Sequence, residues 1–110
     1  MKPRPARTCL AAVALVAISA CSPNAAGREA ITNRCVAGGE KLEVCECFAE
    51  ESSRRLEKPM FELVVLGAQG RESEAEEAMK SLGPDRQGLF STIVRGIIRG
   101  CGGEAYLIAG

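Results

Sequence analysis

The chain has 110 residues, with 14 Lys and Arg against 14 Asp and Glu, and contains neither His nor Trp. A chain this short holds one small domain, and its even charge excludes the basic face that nucleic acid requires, so no nucleic-acid partner is expected. Without His the commonest general base and metal ligand is missing, so no catalytic set, no metal site and no cofactor is expected.

Residues 1–20 divide into three parts. Lys2, Arg4 and Arg7 form a positive start with no acidic residue. Cys9 to Ile18 is an apolar run of 10 residues, and Ser19 and Ala20 are the small residues a signal peptidase needs beside its cut. A permanent span needs about 20 apolar residues. This run is shorter and meets Ser22, Pro23 and Asn24, so it reads as a secretory signal. Its end, Ile18-Ser19-Ala20-Cys21, resembles the lipobox of bacterial lipoproteins: a branched apolar residue, two small ones, then Cys. The resemblance implies diacylglycerol on the Cys21 thiol, cleavage between Ala20 and Cys21, and acylation of the new amino terminus. The membrane is then a partner through lipid on Cys21, since several acyl chains hold firmly where one holds only marginally. Ser22, where an inner-membrane lipoprotein of the enteric type carries Asp, favours the periplasmic face of an outer membrane in a cell that has one. The competing reading is an ordinary signal peptide with Cys21 incidental.

Beyond the leader, 11 basic residues face 14 acidic ones, a formal −3 over residues 21–110. Residues 21–27 are small and polar and read as a flexible tether. A first helix is expected from Arg28 to about Val36, with Ile31 and Cys35 on one face, ended by Gly38-Gly39. A second is expected from about Glu40 to Leu56. Its apolar side is Leu42, Cys45, Phe48-Ala49, Ser52 and Leu56, and Glu43, Glu46, Glu50, Arg54 and Glu57 form its wet side. Pro59 suits the first turn of a third helix, in which Met60, Phe61, Val64, Val65 and Ala68 share a stripe that Leu63 and Leu66 widen. A strand over 63–66 is the competing assignment. Gly67 or Gly70 ends this segment.

Ser73 followed by Glu74, Glu76 and Glu77 reads as an N-cap with acids in the first turn of a fourth helix. Its apolar side is Ala75, Ala78, Met79 and Leu82, and Gly83-Pro84 reads as its stop. A fifth helix, capped by Asp85 or Gly88, carries Leu89-Phe90, Ile93-Val94, Ile97-Ile98 and Cys101 at spacings of three and four, and Gly102-Gly103 closes it. Gly96 and Gly100 read as small residues admitting a close neighbour, or as a fraying end, rather than as a membrane dimerisation motif. The apolar tail over 104–110 reads as packed under the bundle or disordered.

With Cys9 in the leader and Cys21 lipidated, Cys35, Cys45, Cys47 and Cys101 remain. An even count in an exported chain reads as two disulfides. Cys45–Cys47 is the least favoured of the possible bridges, because on a helix the two side chains diverge by about 200°. Each therefore serves a different partner, one Cys35 and the other Cys101. The tight turn between the first two helices favours Cys35–Cys45, leaving Cys47–Cys101. A zinc site lacks paired C-x-x-C knuckles. The order of a short Cys-bearing helix, a Gly turn, C-x-C opening a helix and a closing Cys also resembles a recurrent class of small exported bacterial helical proteins, over about Arg28 to Cys101. That resemblance implies fold and disulfides only.

The expected fold is thus all-α: a small bundle of about four to five helices over 28–103, stapled by two disulfides. Ser52-Ser53 beside Arg54-Arg55 reads as surface, and Glu72, Glu74, Glu76 and Glu77 as a solvated acidic face. The function expected is that of a lipid-anchored envelope protein. It acts as a non-catalytic binding or structural module for an envelope protein or small ligand. The alternative is an envelope thiol–disulfide protein using Cys45 and Cys47.

Overall fold

The computed structural model describes residues 24–103. The expected leader 1–20, the lipidation and cleavage site at Ala20 and Cys21, and the tail 104–110 lie outside the described residues. Five helices run in order: α1 Ala25–Ala37, α2 Leu42–Arg55, α3 Lys58–Ala68, α4 Glu72–Leu82 and α5 Pro84–Gly100. The described residues contain no strand, and Leu63–Leu66 lies within α3.

α1 begins three residues earlier than expected, so Ala25, Ala26 and Gly27 belong to the domain rather than to a tether. Two alanines favour helix. The glycine is what lets α1 lie on α3. A Cβ at Gly27 would stand 2.9 Å from Val65 Cγ2 and 3.0 Å from Phe61 Cε2, so only hydrogen fits. α1 ends in a glycine turn: Gly39 takes φ +104°, and the Glu40 N–H donates to the Cys35 carbonyl at 3.3 Å. This short turn sets α1 antiparallel to α2, the most extensive pairing among the described helices.

α2 buries Cys45, Ala49 and Ser52 at intervals of four and three. Leu42, expected on that stripe, is 56% exposed, because it opens the helix at the rim of the α1–α2 turn. Ser52, which periodicity puts on the stripe and its polar neighbours put at the surface, is completely buried, because it lies one and two turns beyond Ala49 and Cys45 on the same stripe. α2 stops without glycine. Leu56 turns extended and buries its side chain, Glu57 stays extended, and Pro59 sits in the first turn of α3.

α3 is the central helix. Met60, Phe61 and Leu63 are buried, and Val64, Val65, Leu66 and Ala68 are half-buried around it. It packs on α1 and on α4. Gly70 at φ +76° turns the chain, with the Arg71 N–H donating to the Leu66 carbonyl at 3.0 Å. Arg71, not Ser73, holds the N-cap position of α4, and no side chain caps it. The helix gains two residues by starting at Glu72 rather than Glu74, and Arg71 pairs with Glu74. Gly83, at φ +84°, is both the C-cap of α4 and the N-cap of α5, and Pro84 is the first residue of α5. Proline at a first turn forfeits no hydrogen bond, so Gly83-Pro84 joins the two helices directly. Neither Asp85 nor Gly88 caps α5.

α5 buries Phe90, Val94, Ile97 and Ile98 and packs on α2 and α4. Leu89, expected on its stripe, is 47% exposed. It falls about 100° round the helix from Phe90, outside the band that α2 and α4 cover. Gly96 and Gly100 admit no close neighbour. A Cβ at Gly100 would meet nothing within 4 Å, and one at Gly96 only the Arg55 Nη2 at 3.9 Å. Gly102 at φ +85° and the Gly103 N–H on the Ile98 carbonyl close the helix. One core joins all helices but α4: Ile31, Ala49, Leu56, Met60, Phe61, Leu63, Phe90, Val94 and Ile98. α4 adds only partly buried Ala75, Ala78, Met79 and Leu82.

Candidate binding groove

The four cysteines pair as the sequence favours. Cys35–Cys45 has a Cα separation of 5.6 Å and Cys47–Cys101 one of 5.7 Å, both inside the range a disulfide spans. Cys45 is fully buried and faces α1, while Cys47 is half-buried and meets the end of α5. The C-x-C pair thus sends its two sulfurs to two different helices. α1, α2 and α5 become one covalently fixed frame, to which α3 and α4 add by packing.

Between frame and added helices runs a groove of about 750 Å³, within the volume range of small-molecule sites. Phe48 of α2, Leu63 and Val64 of α3, Met79 of α4, and Phe90 and Val94 of α5 make its main walls. Ile31 and the oxidised Cys35 contribute from α1. Gly67 lines it from α3, where an added Cβ would meet nothing within 4 Å. From α4 the groove meets the short side chain of Ala75 as well as Met79, and no residue of α4 is buried.

Among the described residues the lining contains one charged side chain, Arg34, and one other polar side chain, Ser91. Arg34 stands in the last turn of α1, where a cation also suits the helix dipole. It forms no salt bridge among the described residues, unlike Arg28, Arg54, Arg71 and Arg86. Among the described residues no carboxylate and no free thiol lines the groove. Its composition suits holding an apolar body rather than moving protons.

Elsewhere the candidate residues stay apart. Glu72, Glu74, Glu76 and Glu77 are all exposed along α4, and among the described residues no group of three or more acidic or cysteine side chains is placed to hold a metal ion. Ser53 donates to the Glu50 carbonyl at 2.8 Å, and Arg54 pairs with Glu51. The Ser52 hydroxyl is buried without a partner among the described residues. No described helix is long and apolar enough to cross a membrane.

The groove walls were legible as core positions, but the gap between them was not, because periodicity marks which face is apolar and not whether a neighbour fills it. The run of small residues on the α4 stripe is the signal that was present. Comparison of the chain with protein-family models, with curated proteins and with solved structures found no match in any of the three.

Proposed function

We propose that this chain is a lipid-anchored cell-envelope protein whose helical domain is a non-catalytic binding module, with the groove as its binding surface. The observation that carries the binding reading is the groove itself, about 750 Å³ of mostly apolar lining with a single charged residue. The anchor reading rests on Ile18-Ser19-Ala20-Cys21 and the apolar run before it. Export also suits a domain whose frame is closed by two disulfides, which form and persist in oxidising compartments. On this reading lipid on Cys21 holds the domain at the periplasmic face of a membrane, and the groove serves a ligand that reaches that surface. The thiol–disulfide alternative draws no support from the geometry. Cys45 and Cys47 are not bonded to each other, and Cys45 is inaccessible to an attacking thiolate.

The anchor is tested by metabolic labelling with an alkyne fatty acid. The wild-type chain incorporates label and sediments with membranes, and Cys21→Ala does neither; a labelled or membrane-bound variant defeats the lipobox reading. The groove is tested with an uncharged environment-sensitive dye. Saturable binding to the oxidised chain that Gly67→Phe abolishes supports the module, and equal dye binding by both chains removes it.

A further inference from the structure

We propose that the groove takes the alkyl chain of a long-chain fatty carboxylate, with the Arg34 guanidinium meeting the carboxylate at the rim. This rests on the reading of the groove as a binding site and names its ligand class. Three observations combine. The walls from Phe48, Val64, Met79, Phe90 and Val94 are apolar, with Ser91 the one uncharged polar side chain described among them, which suits a hydrocarbon chain and leaves most buried donors and acceptors of a peptide backbone unmatched. The volume is that of a single small-molecule site rather than of a protein interface. The only charge among the described lining residues is a cation that forms no salt bridge with another described residue, and guanidinium matches a carboxylate in two parallel hydrogen bonds. An uncharged lipid leaves that cation unused, and a cationic amphiphile is repelled by it.

Arg34 is exposed, so its contribution is that of a surface ion pair, a few-fold in affinity, and it weakens as salt rises. The alkyl chain supplies the larger share. Each methylene taken wholly out of water is worth up to about four-fold in affinity, and less where the groove leaves it half in solvent.

The test uses the exported full chain with Cys21→Ala, oxidised and free of detergent, titrated by calorimetry with decanoate, dodecanoate and tetradecanoate below their micelle concentrations. Dodecanol is the uncharged probe. Affinity is expected to rise with each pair of methylenes. Arg34→Gln is expected to lower dodecanoate affinity about three- to five-fold while leaving dodecanol unchanged, and 1 M salt to erase that difference. Gly67→Phe, whose new side chain starts in open space, is expected to block both probes while circular dichroism and the thermal midpoint report an intact fold. Affinity that does not depend on chain length, or an Arg34→Gln effect equal for acid and alcohol, overturns the fatty-carboxylate assignment. Dodecanol binding that Gly67→Phe blocks, with no measurable dodecanoate binding, leaves the binding module standing and removes this ligand. Binding of neither probe removes both.

Discussion

Gly27 and Ser52 show how single residues carry more of this fold than their chemistry suggests in the sequence. Gly27 sits in a run of small residues that reads as tether, yet its missing side chain sets the distance between α1 and α3. Phe61, which faces it, is only 5% exposed and cannot swing aside. Gly27→Ala gains some helix propensity but forces an overpacked contact, and a net loss of about 1–2 kcal/mol is expected in urea unfolding. No loss would mean that α1 is free to shift along α3. Ser52 runs the opposite way. Its hydroxyl is buried with no hydrogen-bond partner among the described residues, an arrangement that costs roughly 1–3 kcal/mol. Ser52→Ala removes that group and improves helix propensity, so the variant is expected to be more stable by about 1 kcal/mol. A destabilised variant would reveal a partner for the hydroxyl. Periodicity placed Ser52 on the apolar stripe, while its polar neighbours Ser53, Arg54 and Arg55 argued for the surface. The stripe prevails because burial follows position on the helix, not the composition of adjacent residues.

The same contrast holds for whole helices. The stripes of α2, α3 and α5 are legible in the sequence because large apolar residues recur at three and four. C-x-C on a helix must diverge, which sends the two cysteines to different partners, and the tight α1–α2 turn then favours the observed Cys35–Cys45 pair. Helix starts are less legible. Both α4 and α5 begin at residues whose side chains do not cap them, so a search for Ser, Asp or Gly caps misplaces each by one or more residues. What holds these starts is Pro84 within α5 and the positive-φ glycines Gly70 and Gly83 just outside α4. α4 is the exception in packing as well. It buries no residue completely, and its acids face solvent. Local opening costs least where few apolar contacts are lost. Native-state hydrogen exchange is therefore expected to show α4 amides exchanging faster than those of α3 by at least ten-fold, with α3 among the slowest. Equal protection of the two would mean that α4 opens only with the whole domain. Opening of α4 would also open the groove, because Met79 and Ala75 form a wall that no disulfide ties to the frame and that buries no residue completely.

At the scale of the whole molecule, the two disulfides do different work because they close loops of different length. Cys35–Cys45 spans a sequence separation of 10 and Cys47–Cys101 one of 54. On the chain-entropy model the short loop contributes about 3 kcal/mol and the long one about 4 kcal/mol, by restricting the unfolded chain. The short bridge joins two helices that already form a tight hairpin. The long bridge joins α2 to the last helix, across the segment that contains α3 and α4, and so also holds the groove's far walls in place. Replacing Cys47 and Cys101 together by Ala is thus expected to cost more stability than replacing Cys35 and Cys45. It is also expected to broaden the unfolding transition, as α5 separates from the α1–α2 hairpin before the rest unfolds. Urea unfolding followed by far-UV circular dichroism, with intact-mass measurement after thiol blocking to confirm the remaining bridge in each variant, compares the two directly. A greater loss from the Cys35 and Cys45 pair would show that the α1–α2 hairpin, rather than closure by α5, dominates stability. In a domain whose net stability is on the order of 5–15 kcal/mol, either bridge is a large share. Retaining both alongside an unfilled groove fits a fold held rigid by covalent links rather than by complete packing.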